Sequence, residues 1–238
     1  MTNPVFLADD VSGAHLVLTG PEGHHAATVR RLRTGEVVDV VDGLGARATC
    51  VVTGLGQDLV RLAVTARSVE DAPAPRLVLA QALAKGDRGE LAVELATEVG
   101  VDEIVPWIAA RCVQQWHGER GARSLEKWRA TAREAAKQSR RAWWPAVTEP
   151  HRLPQVAALP GQLLVLHEDA EQPLTGIELA ADGDVVLVVG PEGGLTPDEL
   201  DTLRAAGAAV VRLGRSVLRT STAGAAAVAV VSARTGRW

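Results

Sequence analysis

The sequence predicts two units of different class: a small all-β unit first, then an α/β unit built on a mostly parallel sheet with helices on its faces. Three observations lead there. Short β-branched runs separated by glycine occupy roughly the first seventy residues. The stretch Ser68–Pro75 is acidic, carries two prolines and has no period, so it reads as a linker. Beyond it, strand-like and helix-like segments alternate, the pattern of parallel strands joined by helices. The expected domains are therefore residues 1–70 and 76–238, with the linker at about 68–75.

In the first domain the expected strands are Glu36–Val41, Arg47–Thr53 and Leu59–Thr65. The run Val37–Val41 ends in Asp42-Gly43, a hairpin-type turn signal, and the set suggests a small barrel. In the second, Arg76–Ala80 is a strand, and a helix runs from about Asp87 to Val99, stopped by Gly100. Glu103–Trp107 is a short strand. Ser124 is the expected N-cap of a helix to about Arg140, with Pro145 beyond its end. Gln162–His167 and Asp184–Val189 are buried strands. Thr196-Pro197-Asp198-Glu199 is a capping box with proline at the first helical position. Gly207 closes that helix, Ala208–Leu213 is a strand, and Ser221 or Thr222 caps a last helix through about Ala233.

Of the 238 residues 47% are hydrophobic and 23% charged, which fits a soluble globular chain and excludes global disorder. No apolar run approaches the ~18 residues of a bilayer span, and the N-terminus has neither a basic nor an apolar leader region. Cys50 and Cys112 cannot build a disulfide framework or a Cys-rich zinc site, and His24-His25 lacks zinc-ligand spacing. The expectation is a cytoplasmic protein with no metal and no membrane contact. A net charge of −4 argues against a nucleic-acid partner, but residues 111–143 hold nine basic side chains against three acidic ones, a local charge of +6. Such a stripe is either a phosphate-binding surface or a solvated helix face. Within it Arg133, Lys137 and Arg140 are spaced to share one helix face. All six tryptophans lie from Trp107 onward, and Trp143-Trp144 closes the stripe as core, dimer contact or stacking platform.

Two glycine-containing motifs leave predicted strands and enter predicted helices. Gly190-Pro191-Glu192-Gly193-Gly194 lets a ligand approach the backbone, yet it has neither the lysine of a P-loop nor the spacing of a dinucleotide fingerprint. Leu213-Gly214-Arg215-Ser216-Val217-Leu218-Arg219-Thr220-Ser221-Thr222 places an arginine among hydroxyls in a loop. Read separately, the first is also a tight turn and the second a capped helix with a surface arginine. His167-Glu168-Asp169 follows the strand before the Gly-Pro-Glu-Gly-Gly strand, so its end is expected near the same pocket.

As a pair, these motifs resemble the SPOUT methyltransferases, and within them the RsmE family, which methylates N3 of a uridine in 16S ribosomal RNA. The similarity extends through His24-His25, Val29–Arg33, Lys85–Arg88, Ala96–Val101, Lys127-Trp128 and Glu134–Arg140. It departs at Ser221, where the family usually has Glu, at Gly214-Arg215, at Leu95 and at Lys137. The resemblance implies a PUA-like N-terminal barrel, a trefoil-knotted C-terminal domain, S-adenosyl-L-methionine as cofactor, and a homodimer acting on 16S rRNA or the small ribosomal subunit. It implies cofactor contacts from Leu166, His167 and Glu168 at one strand end. Gly190, Pro191, Glu192, Gly193 and Gly194 follow at the next, then Leu213, Gly214, Val217, Leu218, Thr220 and Thr222. Arg219 is the expected anion-stabilising group, and Glu192 either orients a loop or assists proton removal. The expected RNA contacts are His25, Arg30, Arg31, Arg33, Lys85, Arg111, Arg133, Lys137 and Arg140. Other readings kept open are a related enzyme acting on a ribose 2′-OH or a tRNA base, a catalytically silent RNA binder, and an oxidoreductase, the last disfavoured by the failed fingerprint.

Overall fold

The structure, a computed structural model, describes residues 3–180 and 183–238. It divides into two compact units: the chain up to Ala72 together with Ala136–Trp144, and Pro73–Ala135 together with Pro145–Trp238. The return of residues 136–144 to the first unit has no counterpart in the sequence reading.

The first unit is a five-stranded sheet. Its strands are β1 (Val5–Leu7), β2 (His15–Leu18), β3 (Val37–Val41), β4 (Ala46–Gly56) and β5 (Leu59–Val69), in the order β1-β3-β4-β5-β2. Alternation sets the core: Val38 and Val40, Cys50 and Val52, Val60 and Leu62 point inward and meet Phe6, Leu16 and Leu18. The hairpin signal holds at Asp42-Gly43, and β4 and β5 are longer than expected. Missed altogether were β1, β2 and the helix α1 (Gly20–His24) with the single π turn His25–Val29 that continues it. Ala142, from the returning segment, packs with Val5 and Val41. Trp143 donates its indole N–H to the Glu70 carbonyl at 2.9 Å, and Trp144 donates to Arg141.

The second unit is an eight-stranded sheet, every pairing in it parallel. Its path is β11 (Gln172–Pro173), β13 (Ala209–Arg212), β10 (Gln162–Leu166), β12 (Val185–Val189), β6 (Leu77–Ala82), β7 (Glu103–Ile108) and β8 (Ala146–Val147), with β9 (His151–Arg152) also on β7. The central strands β12 and β6 are buried at every position, as a sheet covered on both faces requires. Helices α2 (Arg88–Glu98), α3 (Gly118–Gln138), α4 (Leu153–Ala157) and α5 (Pro197–Ala205) join the strands, and α6 (Thr220–Arg234) follows the last of them. The capping box forms as expected: Thr196 accepts from the Glu199 N–H, and the Glu199 carboxylate accepts from the Thr196 N–H at 2.8 Å.

Three helix ends differ from expectation. α3 begins at Gly118, so Ser124 is no N-cap; its hydroxyl donates to the Arg120 carbonyl one turn back. α3 also stops at Gln138, which removes Arg140 from the helix face assigned to it; Arg140 has a left-handed φ of 58°. α6 starts at Thr220 with Arg219 at its N-cap position, ahead of both hydroxyls proposed for that role. Among the described residues no helix is long and apolar enough to cross a membrane, and no cluster of three or more His, Cys, Asp or Glu side chains could hold a metal ion.

Candidate active site

Because the strands run parallel, β6, β7, β10, β12 and β13 deliver their following loops to one edge of the sheet. The loop after β12 is Gly190–Gly194, and Gly194 takes a left-handed φ of 69°, which glycine adopts without penalty. Neighbouring elements hold this loop at Gly190, Glu192 and Gly193. Arg111, beyond β7, donates to the Gly193 carbonyl at 2.8 Å and to that of Leu195 at 3.4 Å. The backbone N–H of Lys85, beyond β6, donates to the Glu192 carboxylate at 2.9 Å, and Arg88 pairs with the same oxygen at 3.4 Å. Buried Gln81 donates to the Thr220 hydroxyl at 3.0 Å, which donates to the Gly190 carbonyl at 2.8 Å. That chain fastens the start of α6 to the glycine loop.

These contacts set the charge state of Glu192. Burial pushes its carboxyl upward, but the backbone N–H groups of Lys85 and of Glu192 itself, with Arg88, outweigh burial and hold its pKa below the ordinary glutamate value. Glu192 is a committed carboxylate tied into the scaffold.

A cavity of about 320 Å³ lies among these loops. Leu166, His167 and Glu168 line it from the end of β10; Gly190, Pro191, Glu192 and Gly194 from the end of β12; Val217, Leu218, Arg219 and Thr220 from the segment entering α6. An adjoining recess of about 260 Å³ shares Leu166, His167, Glu168, Val217 and Leu218 and adds Leu213 and Gly214. The two sequence motifs, more than twenty residues apart, thus meet at one opening. Two of the residues expected beside them do not reach it. Gly193 faces Arg111, whose Cβ would lie 3.1 Å from a Cβ added at the glycine, and Thr222 is exposed on α6 outside both cavities. The sequence reading missed Arg88, Val189, Leu195 and Ala223, which also line the cavity, and Gln81 behind it. Lys85-Gly86-Asp87-Arg88 is legible as a motif, but nothing local signals the partners of Gln81.

The lining combines apolar walls (Leu166, Val189, Leu195, Leu218, Ala223), the carboxylate of Glu168 and the backbone polar groups of two loops. This set, with the guanidiniums of Arg88 and Arg219, fits a ligand that combines apolar surface with hydrogen-bonding groups. Among the described residues the guanidinium of Arg219 makes no hydrogen bond or ion pair, and it opens onto the cavity.

The basic residues expected to meet RNA are placed unevenly. In the first unit His25 packs edge-on to Phe6, with ring centroids 5.9 Å apart, while Arg30, Arg31 and Arg33 are exposed. His25, Arg30, Lys137 and Arg140 line one small recess of about 90 Å³. Lys137 is buried there and ion-paired to Glu22 at 2.7 Å, so it does not share an open face with Arg133 and Arg140. In the second unit Arg133 is exposed, Arg111 serves the glycine loop, and Arg123, Lys127 and Arg129 pair with Glu119, Glu90 and Glu126. Glu119 and Glu126 are already counted in the local +6, and Glu22 and Glu90, from outside the stretch, neutralise part of it.

Comparison with known proteins agrees with this geometry. Residues 70–232 match the RNA methyltransferase domain family and residues 18–64 the RNA methyltransferase PUA domain family. The chain is 47% identical over 234 residues to the ribosomal RNA small subunit methyltransferase E of Mycobacterium bovis, covering 95% of this chain and 89% of that protein. The Bacillus subtilis protein of the same name is 29% identical, with 92% and 90% covered. Among solved structures, the Neisseria gonorrhoeae ribosomal RNA small subunit methyltransferase E bound to S-adenosyl methionine superposes with a TM-score of 0.89 at 28% identity, over 98% of both chains. A Legionella pneumophila protein in complex with the same cofactor gives 0.90 at 27% identity, also over 98% of both. With both motifs at one cavity and this extent of similarity, the chain belongs to the RsmE family of small-subunit ribosomal RNA methyltransferases.

Proposed function

We propose that this chain transfers a methyl group from S-adenosyl-L-methionine to N3 of a uridine in 16S rRNA, and that the cavity at the ends of β10, β12 and β13 is where it does so. The observation that carries the reading is the convergence of Gly190–Gly194 and Leu213–Thr220 on one opening lined by Glu168 and Arg219. When bound, the cofactor supplies an electrophilic methyl group on a cationic sulfur. The loop backbones and the apolar walls would hold its adenosine portion, and Glu168 offers negative charge to its cationic part.

The residues of the chain then have separable tasks. A uracil N3 becomes nucleophilic only as it loses its proton, and the resulting charge spreads onto the ring oxygens. Arg219 is suited to stabilise that charge: a guanidinium stays protonated and donates paired hydrogen bonds. Glu192 is assigned to holding the loop, because a carboxylate whose pKa is lowered by the Lys85 N–H and Arg88 is a poor proton acceptor. Ser221 is buried in the first turn of α6, and with a serine there no carboxylate at that position can serve the reaction.

The same reading includes closure of the N-terminal sheet into a PUA-like barrel, a trefoil knot, a homodimer and a cytoplasmic setting. Supporting the knot, the chain leaves β13 near one side of the sheet and returns as α6 to pack on β12 and β6 at its centre. The deciding experiment maps N3-methyluridine in rRNA from a strain lacking this gene. Loss of one modified site, restored by the wild-type gene, is the expected result; an unaltered modification pattern would overturn the assignment.

A further inference from the structure

The loop that brings Lys85 and Arg88 to the active site also borders a separate cavity of about 600 Å³, and none of the residues lining it lines the first. Its walls are the start of α2, the segment Val113–Trp116 and one side of α3. Trp116 and Trp128 stand edge to face with ring centroids 5.0 Å apart. The Trp128 ring rests on Gly89, where an added Cβ would come within 2.7 Å of it, so glycine is needed for α2 to approach this closely.

Two polar atoms of this lining are buried without a hydrogen-bond partner: the indole N–H of Trp116 and the Oε2 oxygen of Glu90. Buried polar groups are nearly always paired, and an unpaired one costs free energy. Elsewhere in the chain the indole N–H groups of Trp107, Trp143 and Trp144 each donate to a carbonyl at 2.9–3.0 Å. The other oxygen of Glu90 is taken by Lys127 at 2.9 Å. The residues lining the cavity thus carry one unused donor and one unused acceptor, beside aromatic surface, the amides of Gln114 and Gln115, and cations at Arg120 and Lys127.

We infer that this cavity binds a second nucleobase of the RNA strand, a uracil or guanine distinct from the methylated base. Both bases carry a ring carbonyl beside a ring N–H. The carbonyl accepts from Trp116, the N–H donates to Glu90, the ring lies against the indoles, and Arg120 and Lys127 meet phosphate. Adenine has no carbonyl and cytosine no ring N–H on that edge, so both fit less well. The inference rests on the reading of the chain as an RNA methyltransferase and adds a site that selects the strand's register.

The test follows the indole N–H signals of the ¹⁵N-labelled protein, with the Trp116 signal identified by its loss in Trp116→Phe. Titration with UMP and GMP should move that signal, AMP and CMP should move it less, and inorganic phosphate should leave it in place. With an RNA substrate, Trp116→Phe should raise KM about tenfold, the effect of one lost hydrogen bond, while kcat and cofactor affinity stay near wild type. Glu90→Gln provides a second variant should Trp116→Phe melt early. A Trp116 signal unmoved by all nucleotides, or moved equally by inorganic phosphate, would overturn the inference, as would unchanged KM in both variants. Methylation by the wild-type protein is scored separately: if it occurs while both variants match wild type, only the second base site is lost.

Discussion

The loop Gly190–Gly194 is tied to its surroundings by Lys85, Arg88, Arg111 and Thr220, whereas the loop Leu213–Arg219, which lines the same cavity system, has few ties of its own. Among the described residues, the side chains of Arg215, Ser216 and Arg219 make no hydrogen bond, and Val217 is 76% exposed despite being apolar. One loop is therefore a preformed wall, and the other keeps side chains that a ligand could engage. Affinity for cofactor should depend on the tied loop and turnover on the free one, because a group without ground-state partners can spend its interactions on the transition state.

The largest test of that contrast is Arg219→Ala. Turnover should fall about 10²–10³-fold, the range for removing one charge-stabilising donor, while the cofactor Kd changes little. Single-turnover methylation and calorimetric titration measure the two. An equal loss in both would erase the distinction between the loops.

Arg111→Ala should act in the opposite sense. It removes the donor to the Gly193 and Leu195 carbonyls, and cofactor affinity should fall about tenfold, as for loss of a charge-assisted hydrogen bond at a partly exposed site. At saturating cofactor the single-turnover rate should approach wild type. A rate defect that saturation does not repair would place Arg111 closer to the chemistry.

Glu192→Gln keeps the shape and weakens the tie to Arg88, an exposed pair of small worth. Cofactor affinity should drop only a few-fold, with kcat nearly kept. The folded pKa of Glu192 lies below its unfolded value, so its contribution is present above the ordinary glutamate pKa and fades as pH falls through the lowered one. Cofactor affinity measured from neutral pH downward should stay level until below the ordinary glutamate range, then decline in wild type more than in Glu192→Gln. A collapse of kcat in the variant at neutral pH would restore the proton-acceptor role.

The smallest effect is expected from Val217→Ala. If the free loop closes only partly on the cofactor, the two lost methyl groups should weaken binding by about twofold at most, well short of the roughly 0.8 kcal/mol for each fully buried carbon. Melting of the unliganded protein should not change, because the side chain is already exposed. A lower Tm with unchanged affinity would show that this loop is packed before ligand arrives.

Both loops were legible as motifs, because glycine, proline and capping residues act locally, and Thr196 through Glu199 fold as their spacing directs. The bracing was not legible. Gln81 and Thr220 are 139 residues apart, and Lys137 and Glu22 are 115 apart, so no local pattern could join them. The shared face of Arg133, Lys137 and Arg140 failed for a related reason. Period alone cannot reveal a helix end at Gln138 when the residue taking the left-handed turn is an arginine, where glycine or asparagine is the usual signal. Short strands such as His15–Leu18 were missed because four residues give too little alternation to register.

The segment Ala136–Trp144 has a consequence for how this chain can be divided or inherited. The first unit is assembled from two stretches of the chain, and the second is interrupted to supply one of them. Severing the chain after Ala72 would leave the N-terminal sheet without Ala142 against Val5 and Val41, and would leave Glu22 without the ammonium of Lys137. The fragment would be an incomplete fold, although its cut falls in a linker. The N-terminal unit is therefore not a cassette that recombination could attach to another enzyme in one piece. Its complete fold needs a stretch coded in the middle of its neighbour.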